Sequence, residues 1–223
     1  MMQVRIDRVG DSQTPVVAIE QATANPEHWR STALSLDWAQ RGDYYPGPRA
    51  PAPRDYLADL TAPLRQALGK VFGWRSQVEV LRCFFSLSTT HAHDLNLAQR
   101  VPHVDSYDPN QIAFVHYLCD PSFGGTAFYR QRSTRFERID ERNCRAFEAA
   151  LDADFRRLGE PESAYVDAQS PFFEQLHVCP AAHNRIVIFP GNLLHCADLA
   201  GVRLNPNPAL GRLTVAGFLR PGS

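Results

Sequence analysis

The chain has 223 residues, 23 of them basic and 24 acidic, for a formal net charge of -1. Scaling of surface with size buries roughly 70% of such a chain on folding, enough for one full core, and a content of 44% hydrophobic and 10% aromatic residues excludes wholesale disorder. The near-zero charge excludes a nucleic-acid binder that works through bulk charge, and no run reaches the ~18 apolar residues of a membrane span.

Residues 3–20 read as strands, VRI and then PVVAIE. Asn25 and Pro26 open a helix as N-cap and first helical residue, with Trp29, Ala33, Leu36 and Ala39 at the helical period. Pro46, Gly47, Pro48, Pro51 and Pro53 make 43–55 a rigid, non-helical loop. Its Tyr44, Tyr45 and Arg49 suit a site or a lid, but packing of this loop on the surface is the favoured expectation. Residues 54–72 form a second amphipathic helix with Tyr56, Leu57, Leu60, Leu64, Leu68 and Val71 on one stripe.

From residue 77 the pattern turns to strands. They are VEVLRCFFSLST, 112–119, 126–132, 172–179, 185–190 and 212–219, interrupted by a helix over 141–158. Helices followed by many strands point to a mainly β protein: one domain over 1–223, with N-terminal strands and supporting helices in 1–76 and a β core in 77–223. Lys70 is the sole lysine, so an isolated arginine carries little information. Cys83, Cys119, Cys144, Cys179 and Cys196 are scattered and form no C-x-x-C, which excludes a zinc ribbon and argues against a disulfide framework. The N-terminus has no signal-peptide core, so a cytoplasmic location is expected, without nucleic-acid or membrane partners.

The candidate chemistry lies in His103-Val104-Asp105 and His195. In a strand, residues i and i+2 share a face, so His103 and Asp105 would project together and one further histidine would complete three ligands. Two imidazoles and a carboxylate leave positions open on a metal, the facial arrangement of non-haem Fe(II) oxygenases. H-x-D alone is common at strand ends. The wider order strengthens it: Tyr117, Gly124-Gly125-Thr126, a strand RIVIFPGNLLH ending in His195, and then RLTVAGFL. His91 and His93 resemble a cupin start but lack the following glutamate, and read as a polar loop. His116, next to Tyr117, should face the other side of its strand as a satisfied buried histidine.

In this order, segment 101–219 resembles the prolyl-4-hydroxylase-like branch of the 2-oxoglutarate/Fe(II)-dependent dioxygenases, and most closely an uncharacterised bacterial family within it. The resemblance implies a double-stranded β-helix, or jelly-roll, core of the cupin-like kind with flanking helices. It implies iron ligands at His103, Asp105 and His195, with Fe(II), 2-oxoglutarate and O2 as cofactors. Arg212 matches the residue that grips the distal carboxylate of 2-oxoglutarate, with Tyr117 and Thr214 beside it. Arg212 follows His195 by 17 residues and Arg203 by 8, so Arg203 is the alternative. Tyr107, Tyr129, Arg130, Arg132 and Phe218 are candidates for substrate contact near the site mouth. The implied activity is hydroxylation of a small molecule or peptide side chain, since Asp105 fills the place where halogenases leave room for halide. The alternatives are a catalytically silent metal-binding jelly-roll and a metal-dependent hydrolase or isomerase. Substrate identity and oligomeric state stay open.

Overall fold

The structure is a computed structural model and describes residues 3–40 and 44–222; Asp43 of the proline-rich loop lies outside them. In chain order the elements are β1 (Val4–Val9), β2 (Thr14–Ile19), α1 (Pro26–Ala33), β3 (Ala39–Gln40), β4 (Pro48–Pro51), α2 (Tyr56–Lys70) and β5 (Val78–Ser88). Then come β6 (Ile112–Tyr117), β7 (Gly125–Gln131), α3 (Cys144–Leu158), β8 (Phe173–Pro180), β9 (Arg185–Pro190), β10 (His195–Asp198) and β11 (Arg212–Pro221). The protein is mainly β, with the helices on the outside.

Two antiparallel sheets form two layers. The larger has the order β1-β2-β9-β6-β11-β5-β4-β3, and the smaller β10-β7-β8. The N-terminal segment therefore supplies both edges of the larger sheet as well as two covering helices. The alternation of β11 decides what each face does. Leu213 and Val215 point to the helices, where they pack with Phe85, Tyr56, Leu60 and Trp29. Arg212, Thr214, Ala216 and Phe218 point between the sheets. On the inner side, Phe128, Phe189, Leu193, Val187 and Tyr117 form a second apolar cluster. A third cluster, around Tyr129, Phe172, Phe173 and Leu194, lies where Phe147, Leu151 and Phe155 of α3 cover the small sheet.

Among the boundaries that differ from the sequence expectation, two change the architecture. Helix α1 ends at Ala33 and does not extend to Leu36 or Ala39. The Trp38 indole donates to the Ala33 carbonyl at 2.9 Å, satisfying a helix-end acceptor, and Ala39 pairs with Arg49 in the sheet. The expected continuous strand 185–195 breaks at Pro190. Residues 191–194 cross over, and His195 opens β10, which pairs with β7 in the other sheet. No helix among the described residues is long and apolar enough to cross a membrane.

Candidate metal centre

His103 and Asp105 do not lie in a regular strand, contrary to the i, i+2 argument. His103 forms one isolated bridge with His195, each amide donating to the other's carbonyl at 2.9 Å. The Asp105 amide donates to the Gly191 carbonyl at 2.7 Å. The crossover 191–195 therefore carries one ligand candidate and holds the other two by their backbone. The three side chains converge, with one potential ligand atom from each lying within 4.8 Å of the others. Asp105 Oδ2 is 3.3 Å from His195 Nε2, and Oδ1 is 3.8 Å from His103 Nε2.

The protonation chemistry follows the surroundings. Burial disfavours the imidazolium of His103 and, with the neighbouring His195 charge, pushes its pKa down to about 4. Burial also opposes charge on His195, but the Asp105 carboxylate outweighs it and raises that pKa. Burial likewise works against the Asp105 carboxylate; His195, His103 and Arg49 outweigh it and hold the pKa below the usual value. The donor set is then an ionised carboxylate and two imidazoles that present Nε2. His195 Nδ1 donates to the Leu193 carbonyl at 2.8 Å, which fixes the tautomer. This combination suits a first-row divalent transition metal, with a backbone carbonyl orienting one ligand ring.

The cluster opens into a cavity of about 410 Å³ between the sheets, within the range that encloses small ligands. Arg212 lies on its wall, only 2% exposed. Its Nε and Nη2 donate to the carbonyls of Phe123 and Gly125 at 3.1 and 2.8 Å, and Nη1 to Ser88 Oγ at 3.4 Å. A guanidinium has five N–H donors. Anchored this way, it keeps the second hydrogens of Nη1 and Nη2 for a carboxylate. Arg203 is exposed and off the wall.

Gly124 and Gly125 have steric reasons. Gly124 has φ +81°, and a Cβ there would sit 1.8 Å from the Asp198 carbonyl oxygen. A Cβ on Gly125, at the start of the central strand of the small sheet, would sit 2.4 Å from the Cys179 carbonyl oxygen.

The other expected residues divide. Thr214 and Phe218 line the cavity. Tyr117 stands behind the wall, bonding through its hydroxyl to Thr126 Oγ1 at 2.5 Å, with the Arg212 guanidinium 5.7 Å from its ring; Thr126 itself lines the cavity. Tyr107, Tyr129 and Arg130 are not on the wall. Tyr107 is exposed and donates to Glu148. Tyr129 is buried with Ala127 in the cluster under α3, on the face of β7 opposite Thr126 and Phe128. Arg130 is buried in an ion pair with Glu137, and Arg132 donates to the Ser170 carbonyl. His91 and His93 are exposed, and His116 is buried between Tyr56 and Asn184 as expected.

The proline-rich loop is not a mere surface loop. It contains β4, and Tyr44, Tyr45, Pro46 and Arg49 line the cavity. Tyr45 bonds Ser88 Oγ at 3.0 Å, beside Arg212. Tyr165, which sequence reasoning missed, reaches the same wall and donates to the Thr90 carbonyl at 2.7 Å. It comes from a loop without periodicity, and nothing local marks it.

A family model described as a family of unknown function, DUF6445, matches residues 1–219. The chain belongs to this family. No curated protein matches it. Among solved structures it is similar to HygX from Streptomyces hygroscopicus with nickel and 2-oxoglutarate bound, at 14% identity and a TM-score of 0.53, covering 93% of this chain and 83% of that one. HygX with iron bound matches at 12% identity and a TM-score of 0.52, covering 93% and 82%. At these identities the likeness is one of fold.

Proposed function

We propose that the protein is a non-haem Fe(II)- and 2-oxoglutarate-dependent dioxygenase of the prolyl-4-hydroxylase-like branch, with a double-stranded β-helix core. It hydroxylates a small molecule or a peptide side chain in the cytoplasm. The observation that carries this reading is Arg212, a buried guanidinium on the wall of the same cavity as the His103, Asp105 and His195 cluster. A silent metal site, or a hydrolytic one, has no need for a buried anion clamp in that cavity. The HygX structures, which share the fold, hold nickel with 2-oxoglutarate or iron.

His103, Asp105 and His195 would hold the iron. Iron(II) with 2-oxoglutarate, when bound, supplies O2-dependent oxidation of an unactivated C–H bond. The chain's own residues do the positioning. Leu193 fixes the Nε2 lone pair of His195 toward the centre, and the Gly191 carbonyl fixes the Asp105 backbone. Arg212 would pair the distal carboxylate, with Thr214 adding a hydroxyl and Tyr117 bracing Thr126. Phe189, beside His195 at a ring separation of 4.6 Å, helps exclude water.

The test is anaerobic titration of metal-free protein with Fe(II) and then 2-oxoglutarate, watching the visible charge-transfer band of the chelate. Wild type should show the band, and Asp105→Ala and Arg212→Ala should lose or weaken it. Iron binding without a band sinks the oxygenase reading in favour of a silent metal site or a hydrolase.

A further inference from the structure

The larger sheet ends in a strand whose charges match a second copy of itself. β1 is its outermost strand, and no strand among the described residues pairs with its outer side. The opposite edge, β3, is two residues long, whereas β1 has six. Two observations decide which backbone groups of β1 face outward. The Glu20 amide donates to the Gln3 carbonyl at 3.0 Å, in register with the pairing Val4↔Ile19, so Gln3, Arg5, Asp7 and Val9 occupy the positions bonded to β2. Pro15, which has no N–H, stands opposite Arg8, as a non-bonded position requires. The amides and carbonyls of Val4, Ile6 and Arg8 therefore point away from the sheet.

The side chains alternate between two faces. Val9 joins the inner apolar cluster, and Arg5 and Asp7 share its face. Arg5 donates to Asp7 at 3.0 Å, and Asp7 lies 3.3 Å from His177 of β8. On the other face Val4 and Ile6 are 37% and 47% exposed.

A strand that meets its own copy antiparallel does so about a two-fold axis, with the same patch on both sides. The outward groups meet only when the axis passes through one residue, so that Val4, Ile6 and Arg8 pair among themselves. An axis through Arg5 sets Arg5 against the partner's Arg5, and one through Asp7 sets Asp7 against the partner's Asp7. An axis through Ile6 sets Arg5 against the partner's Asp7, and Asp7 against the partner's Arg5. These pairs fall at non-bonded positions, where opposed Cα atoms approach to about 4.5 Å. Like charges there oppose pairing, and opposite charges select the register. The same register puts Ile6 on the partner's Ile6 and Val4 along the aliphatic stem of the partner's Arg8. Val4 and Arg8 exchange two backbone bonds at each end, and the two Ile6 residues exchange two at the axis.

We propose that β1 is a homodimer interface, pairing antiparallel with β1 of a second copy about an axis through Ile6, so that the two eight-stranded sheets run on as one. This surface is independent of the oxygenase reading.

The test follows the full chain, kept reduced, by analytical ultracentrifugation from micromolar to submillimolar concentration. Wild type should form a reversible dimer. Arg5→Glu sets only acids against each other and Asp7→Arg only bases, so each variant alone should raise the dimer dissociation constant at least about tenfold. An equimolar mixture of the two should recover a dimer, because each acidic position then meets a basic one. Ile6→Pro removes an outward N–H while sparing the ladder to β2, and should be monomeric. Thermal midpoints show that each variant is folded. A wild type that stays monomeric throughout overturns the proposal. So do single variants that dimerise like wild type, or a mixture of folded variants that stays monomeric.

Discussion

His195 turns Nε2 to within 3.3 Å of Asp105 Oδ2 because its other ring nitrogen donates to the Leu193 carbonyl, two residues back in the same crossover. A carbonyl only accepts, so Nδ1 carries the hydrogen and the Nε2 lone pair is available to a metal. Asp105→Asn removes the one carboxylate of the set. Its Ni(II) affinity, measured by calorimetry, should fall at least tenfold to a hundredfold, the range already seen for loss of mere supporting contacts around metal ligands. An affinity equal to wild type would show that the cluster is not a metal centre.

The Arg212 anchor depends on the glycine pair. Gly124→Ala forces a side chain into a positive-φ position against the Asp198 carbonyl, and the next carbonyl, that of Gly125, is one that holds Arg212. Backbone strain alone costs about 1–3 kcal/mol. The variant should lose at least that much stability in urea, and its 2-oxoglutarate affinity should drop with it. Unchanged 2-oxoglutarate affinity in a destabilised variant would uncouple the turn from the clamp.

Arg130 holds the fold together away from the cavity. Its Nε donates to Glu137 Oε1 at 2.8 Å, and Glu137 also accepts from the amides of Asp11 and Ser12 in the β1–β2 turn. Both side chains are 5% exposed. Glu137→Ala leaves Arg130 with Asp11 and Glu174 but takes the acceptor from the Asp11 and Ser12 amides, and should cost about 1–3 kcal/mol by urea unfolding. Ni(II) affinity, read on the same folded variant, should stay as in wild type. A cost within 0.5 kcal/mol, the range of ordinary surface changes, would show that the pair contributes nothing.

His116 sets part of the acid sensitivity. It is fully buried, takes a hydrogen bond from the Tyr56 hydroxyl at 2.7 Å on Nδ1, and donates from Nε2 to Asn184 Oδ1 at 3.1 Å. Burial pushes its pKa down to about 4, below the value of an unfolded histidine. Between about pH 6.5 and pH 4 the unfolded chain therefore binds more protons, and stability falls as pH falls. The loss through this group approaches about 3 kcal/mol near pH 4. His116→Leu should be less stable at pH 7.5, yet lose less between pH 7.5 and pH 5 than wild type in urea midpoints. Parallel pH profiles would place the sensitivity elsewhere, His103 being the next candidate.

Much was legible in the sequence because it depends on short-range periodicity. The alternation in Arg212-Leu213-Thr214-Val215-Ala216-Gly217-Phe218 separates a polar cavity face from an apolar helix face, as the two layers require. The same two-residue period put His116 and Tyr117 on opposite sides. His103, Asp105 and His195 were legible as residue types whose chemistry converges on one kind of site. Period two also misled, because it holds only within an unbroken strand. His103 and Asp105 are held by bonds to the 191–195 crossover and not by a strand, whereas Tyr129 keeps the period with Ala127 and so lies under α3. Only the tertiary structure decided that the proline-rich loop adds a strand beside β5 and brings Tyr45 and Arg49 into the cavity, and that Tyr165 closes the same wall. Strand pairing between distant segments is set by which sheet edge is free and which apolar faces need cover. A linear pattern carries the composition of each face, while the partner it meets is a property of the packed whole.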